Sequence, residues 1–385
     1  MAQRIKYFLF FFLFLLVFVS CSTVKETNQA ETLVYLSASK SHQVDTVLFQ
    51  NGQTIILENT DASLLHDPRK VILKNDTFII FDRSLFSVLF FDKSGKFINK
   101  IHHVGQGPGE YIKLYDVCLD TQNNCLALLV PYRKILYYSL SGVYLGEESL
   151  PSEILSALKI AIKDDWMYLI PADGYNQQDI EYSLYAFNRK TKEVKPIIKD
   201  KLFQDCWTFG SQFSLGDPLL FAQRFNNIVY ELKGADFYPK YQFMLGDFNL
   251  PADLDRNDYP DKKLLKLCHE KGYVFSVAGL VESERGIWFD SNQSGFFYYN
   301  KKLHEIEHYE SIVNSQNGFS FSTVLAIEGE PGKVAFVIRG DVITAMKEVL
   351  AKHPSDSEEY RQQLSLLDQI VEEDPNPVLF VYDLK

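Results

Sequence analysis

Residues 76–101, DTFIIFDRSLFSVLFFDKSGKFINKI, contain three apolar runs separated by short polar stretches. Each run is about five to eight residues long and rich in aromatic and β-branched side chains, which favour strands. Asp, Ser and Gly stand between the runs, where tight turns favour these residues. The stretch therefore predicts consecutive antiparallel strands joined by short turns.

Runs of the same kind recur along the chain, and the recurrence predicts the fold. At intervals of roughly 40 to 70 residues, which suit four strands each, corresponding runs begin near Asp76, Asn124, Trp166, Pro218, Gly286 and Lys333. Six four-stranded units arranged radially form a β-propeller, which leaves few exposed sheet edges. We therefore predict an all-β fold, a six-bladed β-propeller over residues 44–385.

The last unit departs from the repeat in two ways. It is one strand short at the C-terminus, and residues 44–58 are predicted to supply the missing outer strand and close the ring. Between residues 341 and 375, apolar side chains recur at helical spacing, which predicts two helices inserted between the second and third strands of that unit. These helices would form a cap on one face of the ring.

The N-terminus has the layout of an export signal over residues 1–20. Arg4 and Lys6 precede an apolar run, residues 7–19, that is shorter than the roughly 20 residues a membrane span needs. Cys21 follows the small residue Ser20, an arrangement that resembles a bacterial lipoprotein processing site and implies that the protein is anchored to a membrane through a lipid on Cys21. The alternative is an uncleaved membrane anchor. Residues 21–43 are expected to be the lipidated N-terminus and a flexible tether.

Composition excludes several other classes. The formal net charge is −11 and basic clusters are lacking, so a nucleic acid is not an expected partner. The cysteines lack the spacing of a structural zinc site. Cys118 and Cys125 flank a predicted hairpin, where either a disulfide bond or two buried thiols would fit.

Three stretches resemble a known family, the six-bladed β-propeller lipoproteins of Bacteroidetes. They are FFDKSGKFINKIHHVGQGPGEY (residues 90–111), WFDSNQSGFFYYN (288–300) and EEDPNPVLFVYDLK (372–385). The resemblance implies an outer-membrane lipoprotein that faces the periplasm or the cell surface, in a family mostly without assigned activity. The architecture is also similar to that of NHL-repeat and gluconolactonase-like propellers, some of which are metal-dependent enzymes.

The glycine-rich stretch HVGQGPGEY (103–111) does not have the pattern of a phosphate-binding loop. Such a loop needs Lys and Ser or Thr after its last glycine, where this chain has Glu110 and Tyr111. The spacing of the glycines also differs from the dinucleotide fingerprint, and strand-like sequence follows where a helix would begin. We interpret the stretch as a shaped connection between two units, in which glycines allow positive φ and Pro108 fixes a turn.

In a propeller, such outer-to-inner connections share a face with the loops between the second and third strands. Candidate ligand-binding residues on that face are Arg83, Glu110, Tyr132, Arg133, Tyr175, Arg224, Asp290, Asn292 and Arg339. A guanidinium group can hold a carboxylate or sulfate at two points, so the arginines suit a small anionic or glycan ligand. The alternative is that each arginine pairs with a nearby carboxylate and fixes its own loop.

Two classes of function remain. The first is a binding or scaffold module of the cell envelope with no cofactor and no catalytic residues. The second is a metal-dependent hydrolase or lyase, with a divalent metal held by groups such as Glu110, Asp116, Asp290 and Asn292. As a further possibility within the first class, the helical cap docks an envelope protein, in which case its outward surface should expose apolar residues.

Overall fold

The computed structural model describes residues 31–34, 40–154, 156–171, 182–199, 211–252, 254, 261–321, 324–371 and 373–385. Within these ranges the chain is predominantly β. Its N-terminal part contains β1 (Glu31–Val34), β2 (Lys40–Val44), the short helix α1 (Asp45–Leu48) and β3 (Phe49–Ile56).

The other strands form antiparallel units of consecutive strands. Unit 1 contains β4 (Pro68–Lys74), β5 (Thr77–Asp82), β6 (Ser87–Asp92) and β7 (Phe97–Ile101). Unit 2 contains β8 (Asp116–Asp120), β9 (Cys125–Val130), β10 (Lys134–Ser139) and β11 (Tyr144–Ser149). Unit 3 contains β12 (Ala157–Lys163), β13 (Trp166–Pro171), β14 (Tyr182–Asn188) and β15 (Val194–Lys199).

The second half of the chain repeats this pattern. Unit 4 contains β16 (Phe213–Leu215), β17 (Leu219–Ala222), β18 (Ile228–Lys233) and β19 (Asp236–Met244). After a 3₁₀ turn (Gly246–Phe248) and helix α2 (Asp261–Lys271), unit 5 contains β20 (Val277–Glu282), β21 (Gly286–Ser291), β22 (Phe296–Asn300) and β23 (Glu305–Val313). The short strand β24 (Ser320–Phe321) pairs with β23.

Unit 6 joins the two ends of the chain. It contains β25 (Val324–Glu328), β26 (Lys333–Ile338) and β27 (Val378–Leu384), with helices α3 (Gly340–Lys352) and α4 (Glu358–Leu367) inserted before β27. Its fourth strand is β3, which pairs antiparallel with β27. The prediction that an N-terminal strand completes the last unit is therefore confirmed, as is the predicted pair of inserted helices.

Hydrophobic clusters join each unit to the next. Pairs of side chains that share a cluster across successive units are Phe90 with Leu128, Leu129 with Leu169, Tyr168 with Phe221, Phe243 with Phe289, Trp288 with Phe336, and Leu379 with Leu89. The last pair joins unit 6 to unit 1, so the units follow one another in a closed ring. Adjacent residues on one strand, such as Leu128 and Leu129, face opposite neighbours because side chains alternate along a strand.

This two-sided packing explains the sequence pattern. Strands β5, β9 and β21 are buried on both faces, so their sequences are continuous apolar runs instead of alternating ones. The outer strand β11 packs on one face only, and its burial alternates residue by residue.

The prediction of a flexible tether over residues 21–43 needs a correction at its C-terminal end. Strand β1 pairs in parallel with the outer strand β19 of unit 4, and β2 pairs in parallel with the outer strand β23 of unit 5. The free backbone groups of these outer strands provide hydrogen-bond partners, which the polar composition of the segment did not reveal. Residues 21–30, including Cys21, lie outside the described residues.

Helix α2 was not predicted from the sequence. Its Leu264 and Cys268, four residues apart, pack in a cluster with Phe225 and Phe275. The helix lies between units 4 and 5, where the interval between corresponding strand runs is longest. Its insertion explains the extra length of that interval. Because charged residues surround its two buried positions, the segment shows only a weak helical spacing of apolar residues.

Cys118 and Cys125 are both buried free thiols. In the β8–β9 hairpin Cys118 lies opposite Ala127 and Cys125 lies opposite Asp120, so the cysteines do not face each other. Of the two alternatives considered for this pair, the structure has the buried thiols.

We expect Phe49→Ala to destabilise the whole ring. Phe49 on β3 is 1% exposed and its ring lies 5.1 Å from that of Trp288 in unit 5 and 5.5 Å from that of Phe336 in unit 6. Loss of a buried phenylalanine costs about 3–5 kcal/mol. Thermal and urea unfolding should show one cooperative transition at lower midpoint. The control is Phe237→Ala, at a side chain that is 38% exposed; equal losses in the two variants would contradict closure by β3.

Candidate functional site

The connection between units 1 and 2 contains the glycine-rich stretch, in which residues of the stretch contact one another. The carboxylate of Glu110 accepts a hydrogen bond from the backbone N–H of Gly107 at 2.8 Å. A Cβ atom on Gly105 would lie 2.0 Å from Oε2 of Glu110, so the side chain of Glu110 occupies the space that glycine leaves. Gly109 has φ +75° and a Cβ there would meet the ring of Tyr144 at 2.9 Å.

Two buried tyrosines hold this connection against both units. The hydroxyl of Tyr111 donates to the carbonyl of Phe86 at 2.8 Å, and that of Tyr138 donates to the carbonyl of Gly109. Burial raises the pKa of both phenols, that of Tyr138 to about 12, so they remain donors at neutral pH. Glu110 therefore shapes the connection. This structural role accounts for the carboxylate that follows the glycines.

The other predicted residues occupy the connections between second and third strands. Arg83 follows β5, Tyr132 and Arg133 form the turn between β9 and β10, Arg224 follows β17, Asn292 follows β21 and Arg339 follows β26. Tyr132 is 88% exposed. Asp290 is buried within β21, and Tyr175 lies outside the described residues.

Two of these residues have local structural roles. The guanidinium of Arg339 binds both carboxylate oxygens of Asp341, through Nε at 3.0 Å and through a second nitrogen. Asn292 accepts from the N–H groups of Phe275 and Ser276 and donates to the carbonyl of Tyr273. At Arg339 the structure shows the local pairing that was the alternative to a ligand-binding ring.

A cavity of about 210 Å³ lies among the first strands of the units. Its walls come from units 1, 4, 5 and 6, and they include Arg69 and Lys70 on β4 and Glu328 on β25. Ser211 and Phe213, next to and on β16, line another wall. The cavity therefore lies where the first strands of units 1, 4, 5 and 6 come close to one another.

A buried charge cluster lies beside this cavity and links units 6, 1 and 2. The Nζ atom of Lys70 is 2.9 Å from Oδ1 of Asp116 on β8, 3.9 Å from Oε2 of Glu328 and 2.5 Å from the carbonyl oxygen of Val117. Oε1 of Glu328 accepts from the N–H of Leu119 at 2.5 Å. The three charged side chains are all less than 10% exposed.

Burial and charge act in opposite directions on this cluster. Burial raises the pKa of Glu328 to about 7, against the opposing effect of Lys70. For Lys70, burial lowers the pKa, but Asp116 and Glu328 outweigh it and the pKa lies above the usual range. At neutral pH Lys70 is therefore charged, whereas Glu328 exchanges a proton near neutrality.

Unit 3 adds another cation to the same carboxylate. Lys159 on β12 places its Nζ 4.0 Å from Oδ1 of Asp116, the oxygen that Lys70 contacts. Burial lowers the pKa of Lys159, Asp116 opposes this, and the cations Lys70, Arg83 and Arg69 lower it further. The predicted residue Arg83 thus contributes to the lowered pKa of Lys159, an effect that no local sequence pattern reveals.

On the opposite side of the cavity, a carboxylate is balanced by neighbouring lysines. Glu282 at the end of β20 accepts hydrogen bonds from Lys240 at 3.0 Å, Lys301 at 2.8 Å and the hydroxyl of Tyr241 at 2.7 Å. Burial alone would raise the pKa of Glu282, but these bonds outweigh it and lower the pKa. Glu282 therefore stays ionised and ties units 4 and 5 together.

The groups proposed for a metal site under the enzyme hypothesis are mostly engaged in other roles. Glu110 and Asn292 hold backbone N–H groups, and Asp116 holds Lys70 and the N–H of Ile160. Among the described residues, no three His, Cys, Asp or Glu side chains are placed to hold a metal ion together. These residues do not fit the proposed metal site.

Residues 33–383 match a family described as a domain of unknown function, DUF4934. The chain belongs to the DUF4934 family. No curated protein matches this DUF4934 chain. A solved structure of a Bacteroides fragilis protein, described as exported, has the same fold: TM-score 0.71, 19% identity, covering 92% of this chain and all of that one.

Two further solved structures show weaker similarity. One is a Bacteroides thetaiotaomicron protein of unknown function, with TM-score 0.44 and 10% identity, covering 89% of this chain and 75% of that one. The other is a Bacteroides vulgatus member of the DUF4221 family, with TM-score 0.42 and 10% identity, covering 88% and 98% of the two chains. In the described part of the DUF4934 chain, no helix has the length and apolar character of a membrane span.

We expect Glu328→Gln to change how stability depends on pH. The folded protein keeps a proton on Glu328 up to about pH 7, whereas the unfolded chain loses it near the ordinary value of 4.5. Its contribution to folding is therefore full below about pH 4.5 and is lost as the pH rises to about 7. The free energy of unfolding of the variant, relative to wild type, should rise across that window and then level off.

Urea unfolding at a series of pH values measures this difference. The matched control is Glu282→Gln, for which the sign is opposite. Because the pKa of Glu282 is lowered, its contribution is present at neutral pH and is lost as the pH falls through the folded-state pKa. Parallel stability curves for wild type and Glu328→Gln would contradict the assignment of a buried, proton-exchanging Glu328.

Proposed function

We propose that this protein is an exported, lipid-anchored six-bladed β-propeller that acts as a binding module for a small anionic ligand. The six proposed blades correspond to units 1–6, each with four antiparallel strands, although the parallel pair β25–β4 joins units 6 and 1 into one eight-stranded sheet. The hydrophobic clusters between successive units support the radial arrangement, because each sheet packs on two neighbours and the ring closes between units 6 and 1.

The cell envelope is the proposed location. Residues 1–20 have the layout of an export signal and Cys21 follows them. The Bacteroides fragilis protein with the same fold is described as exported, which supports the same route for this chain. The outer membrane, with the propeller facing the periplasm or the cell surface, is the expected site of the anchor.

The observation that favours an anionic ligand is the sharing of one carboxylate oxygen by two lysines. Lys70 and Lys159 both approach Oδ1 of Asp116, at 2.9 and 4.0 Å, and the second carboxylate of the cluster, Glu328 at 3.9 Å from Lys70, is only partly ionised at neutral pH because its pKa is raised to about 7. Arg69, which pairs with Asp67 at 2.9 Å, and Arg83 also lower the pKa of Lys159. In a chain of net charge −11, this group of cations beside a cavity suits a carboxylate, a sulfate or an acidic sugar.

The cavity also limits the size of the ligand. About 210 Å³ is below the roughly 300–1,000 Å³ typical of pockets for drug-sized ligands. Ser211, Phe213 and Ser214 line one wall, which brings polar and apolar residues together. A single acidic sugar residue combines the carboxylate, hydroxyls and apolar C–H face that such walls can contact.

A second candidate function concerns the helical insertion. Val342 and Val349 on α3 are 43% and 57% exposed, and Val371 after α4 is 81% exposed. These are the outward apolar residues that docking of an envelope protein requires. Under this proposal the propeller is a scaffold, and the cap presents the surface to which the partner binds.

We expect Lys159→Met to weaken anion binding without lowering the stability of the fold. Removing one of several like charges should leave the thermal midpoint unchanged or higher without ligand, since Lys70 keeps its contact with Asp116. In wild type, sulfate or glucuronate at constant ionic strength should raise the midpoint, and the variant should lose most of this rise. The control is Lys163→Met, on the same strand but 3.4 Å from Asp217; an equal anion effect in all three proteins would refute the site.

We expect Cys21→Ser to release the protein from the membrane. A lipidated cysteine is the predicted attachment point, so its removal should abolish incorporation of labelled palmitate and move the protein to the soluble fraction of the envelope. The matched control is Cys268→Ser, at a buried thiol in the cluster around α2. Continued membrane association of Cys21→Ser without lipid label would favour the uncleaved anchor instead.

A further inference from the structure

The N-terminal strands β1 and β2 both run away from one side of the ring. Strand β1 pairs in parallel with β19, with Glu31 opposite Tyr241, and β2 pairs in parallel with β23, with Lys40 opposite Tyr309. Strands β19 and β23 each begin after the turn that follows the third strand of their unit. The turn side of the ring is the side that carries these turns between third and fourth strands, which are residues 93–96, 140–143, 189–193, 234–235 and 301–304. The first residue of β1 therefore lies nearer the turn side than its last residue does.

The length of chain before β1 limits how far a lipid on Cys21 can be from the ring. Ten residue steps separate Cys21 from Glu31. A chain of this length spans at most about 35 Å when fully extended. Because β1 starts toward the turn side, the shortest path from the ring to such a lipid leaves on that side. The inserted helices α3 and α4 follow the second strand of unit 6, so they lie on the opposite side of the ring.

The turn side exposes apolar side chains in four of the units. Each lies in one of the turns or within three residues of it, and together they are Ile98, Val143, Leu145, Phe237, Tyr238 and Leu303. Phe237 and Tyr238 belong to β19, the strand with which β1 pairs. Exposed apolar surface of this kind marks contacts with proteins or membranes, and tyrosine is common where membranes meet water. The chain before β1 and the exposed aromatic side chains thus meet at the same edge of unit 4.

The lysines of the turn side are paired with carboxylates. Lys190 lies 2.8 Å from Asp165, and Lys233 lies 2.6 Å from Glu231. The apolar side chains, rather than an excess of positive charge, therefore distinguish this surface. A contact through these side chains should form equally well on neutral and on anionic lipids.

We propose that the turn side is a membrane-contacting surface that rests on the headgroup region of the bilayer. The inference rests on the lipid anchor of the proposed function: the lipid attaches the chain, and the apolar side chains of the turn side orient the ring. Helices α3 and α4 then face away from the membrane. Their exposed valines stay available to a partner protein.

The test is a lysine footprint of the lipidated full chain on phosphatidylcholine vesicles, with soluble Cys21→Ser as the reference. Lys233 on the turn side and Lys352 at the end of α3 are matched reporters. Their side chains are 65% and 69% exposed, and each pairs with a glutamate. We expect anchoring to slow acetylation of Lys233 by a membrane-impermeant ester several-fold and to leave Lys352 unchanged, as read by peptide mass spectrometry. Equal slowing of both lysines, or slowing of Lys352 alone, would overturn the proposal.

A pair of double variants tests the role of the apolar side chains. Val143→Asp with Leu303→Asp places carboxylates at positions that are 60% and 58% exposed, and it should restore fast acetylation of Lys233 while the protein stays on the vesicles. The control is Val342→Asp with Val349→Asp on α3, at positions 43% and 57% exposed, which should keep the protection. Full protection of Lys233 in both double variants would contradict a contact through the turn side.

A further arm separates this inference from the proposed lipid anchor. In a chain that starts at Cys21, a maleimide phospholipid coupled to the Cys21 thiol supplies an anchor without natural lipidation; Cys118, Cys125 and Cys268 are buried. Protection of Lys233 in the coupled chain, in a protein that takes up no labelled palmitate, would support the surface and refute the natural anchor. Palmitate incorporation without protection of Lys233 would keep the anchor and refute the surface.

Discussion

The structure depends on the packing of each four-stranded unit between two neighbouring units. A strand such as β9 sends Leu128 to the cluster with unit 1 and Leu129 to the cluster with unit 3, so neither face is left for water. Each unit therefore buries one face of each of its two neighbours. The outer faces of the first and last units are buried only when the ring closes. Closure uses β3 from the N-terminus, whose Phe49 is buried at the junction of units 5 and 6.

Closure of the ring also forces charged groups together at its centre. The first strands of the units converge there, and they bring Lys70, Asp116, Lys159 and Glu328 from different units into one cluster. Buried ion pairs of this kind contribute little net stability, because desolvation offsets the attraction between the charges.

The glycine-rich connection shows how local chemistry serves the ring. Its glycines make room for the carboxylate of Glu110, and that carboxylate satisfies a backbone N–H of the same connection. Tyr138 of the next unit then fixes the connection by donating to Gly109. The motif that looks most like a ligand-binding loop in the sequence is a spacer that sets the distance between units 1 and 2.

The sequence by itself determined the strand repeat, the N-terminal strand that completes the last unit and the inserted helices. It also determined the connections that hold Arg83, Tyr132, Arg133, Arg224 and Arg339. These features follow from the spacing of apolar residues and from the turn residues, which are local properties of the chain. Only the tertiary structure decided which charges meet. Lys70 and Glu328 are 258 positions apart in the chain and are adjacent only because unit 6 packs against unit 1. Neither stands in a motif, so no local pattern could reveal the cluster or the pairing of Arg339.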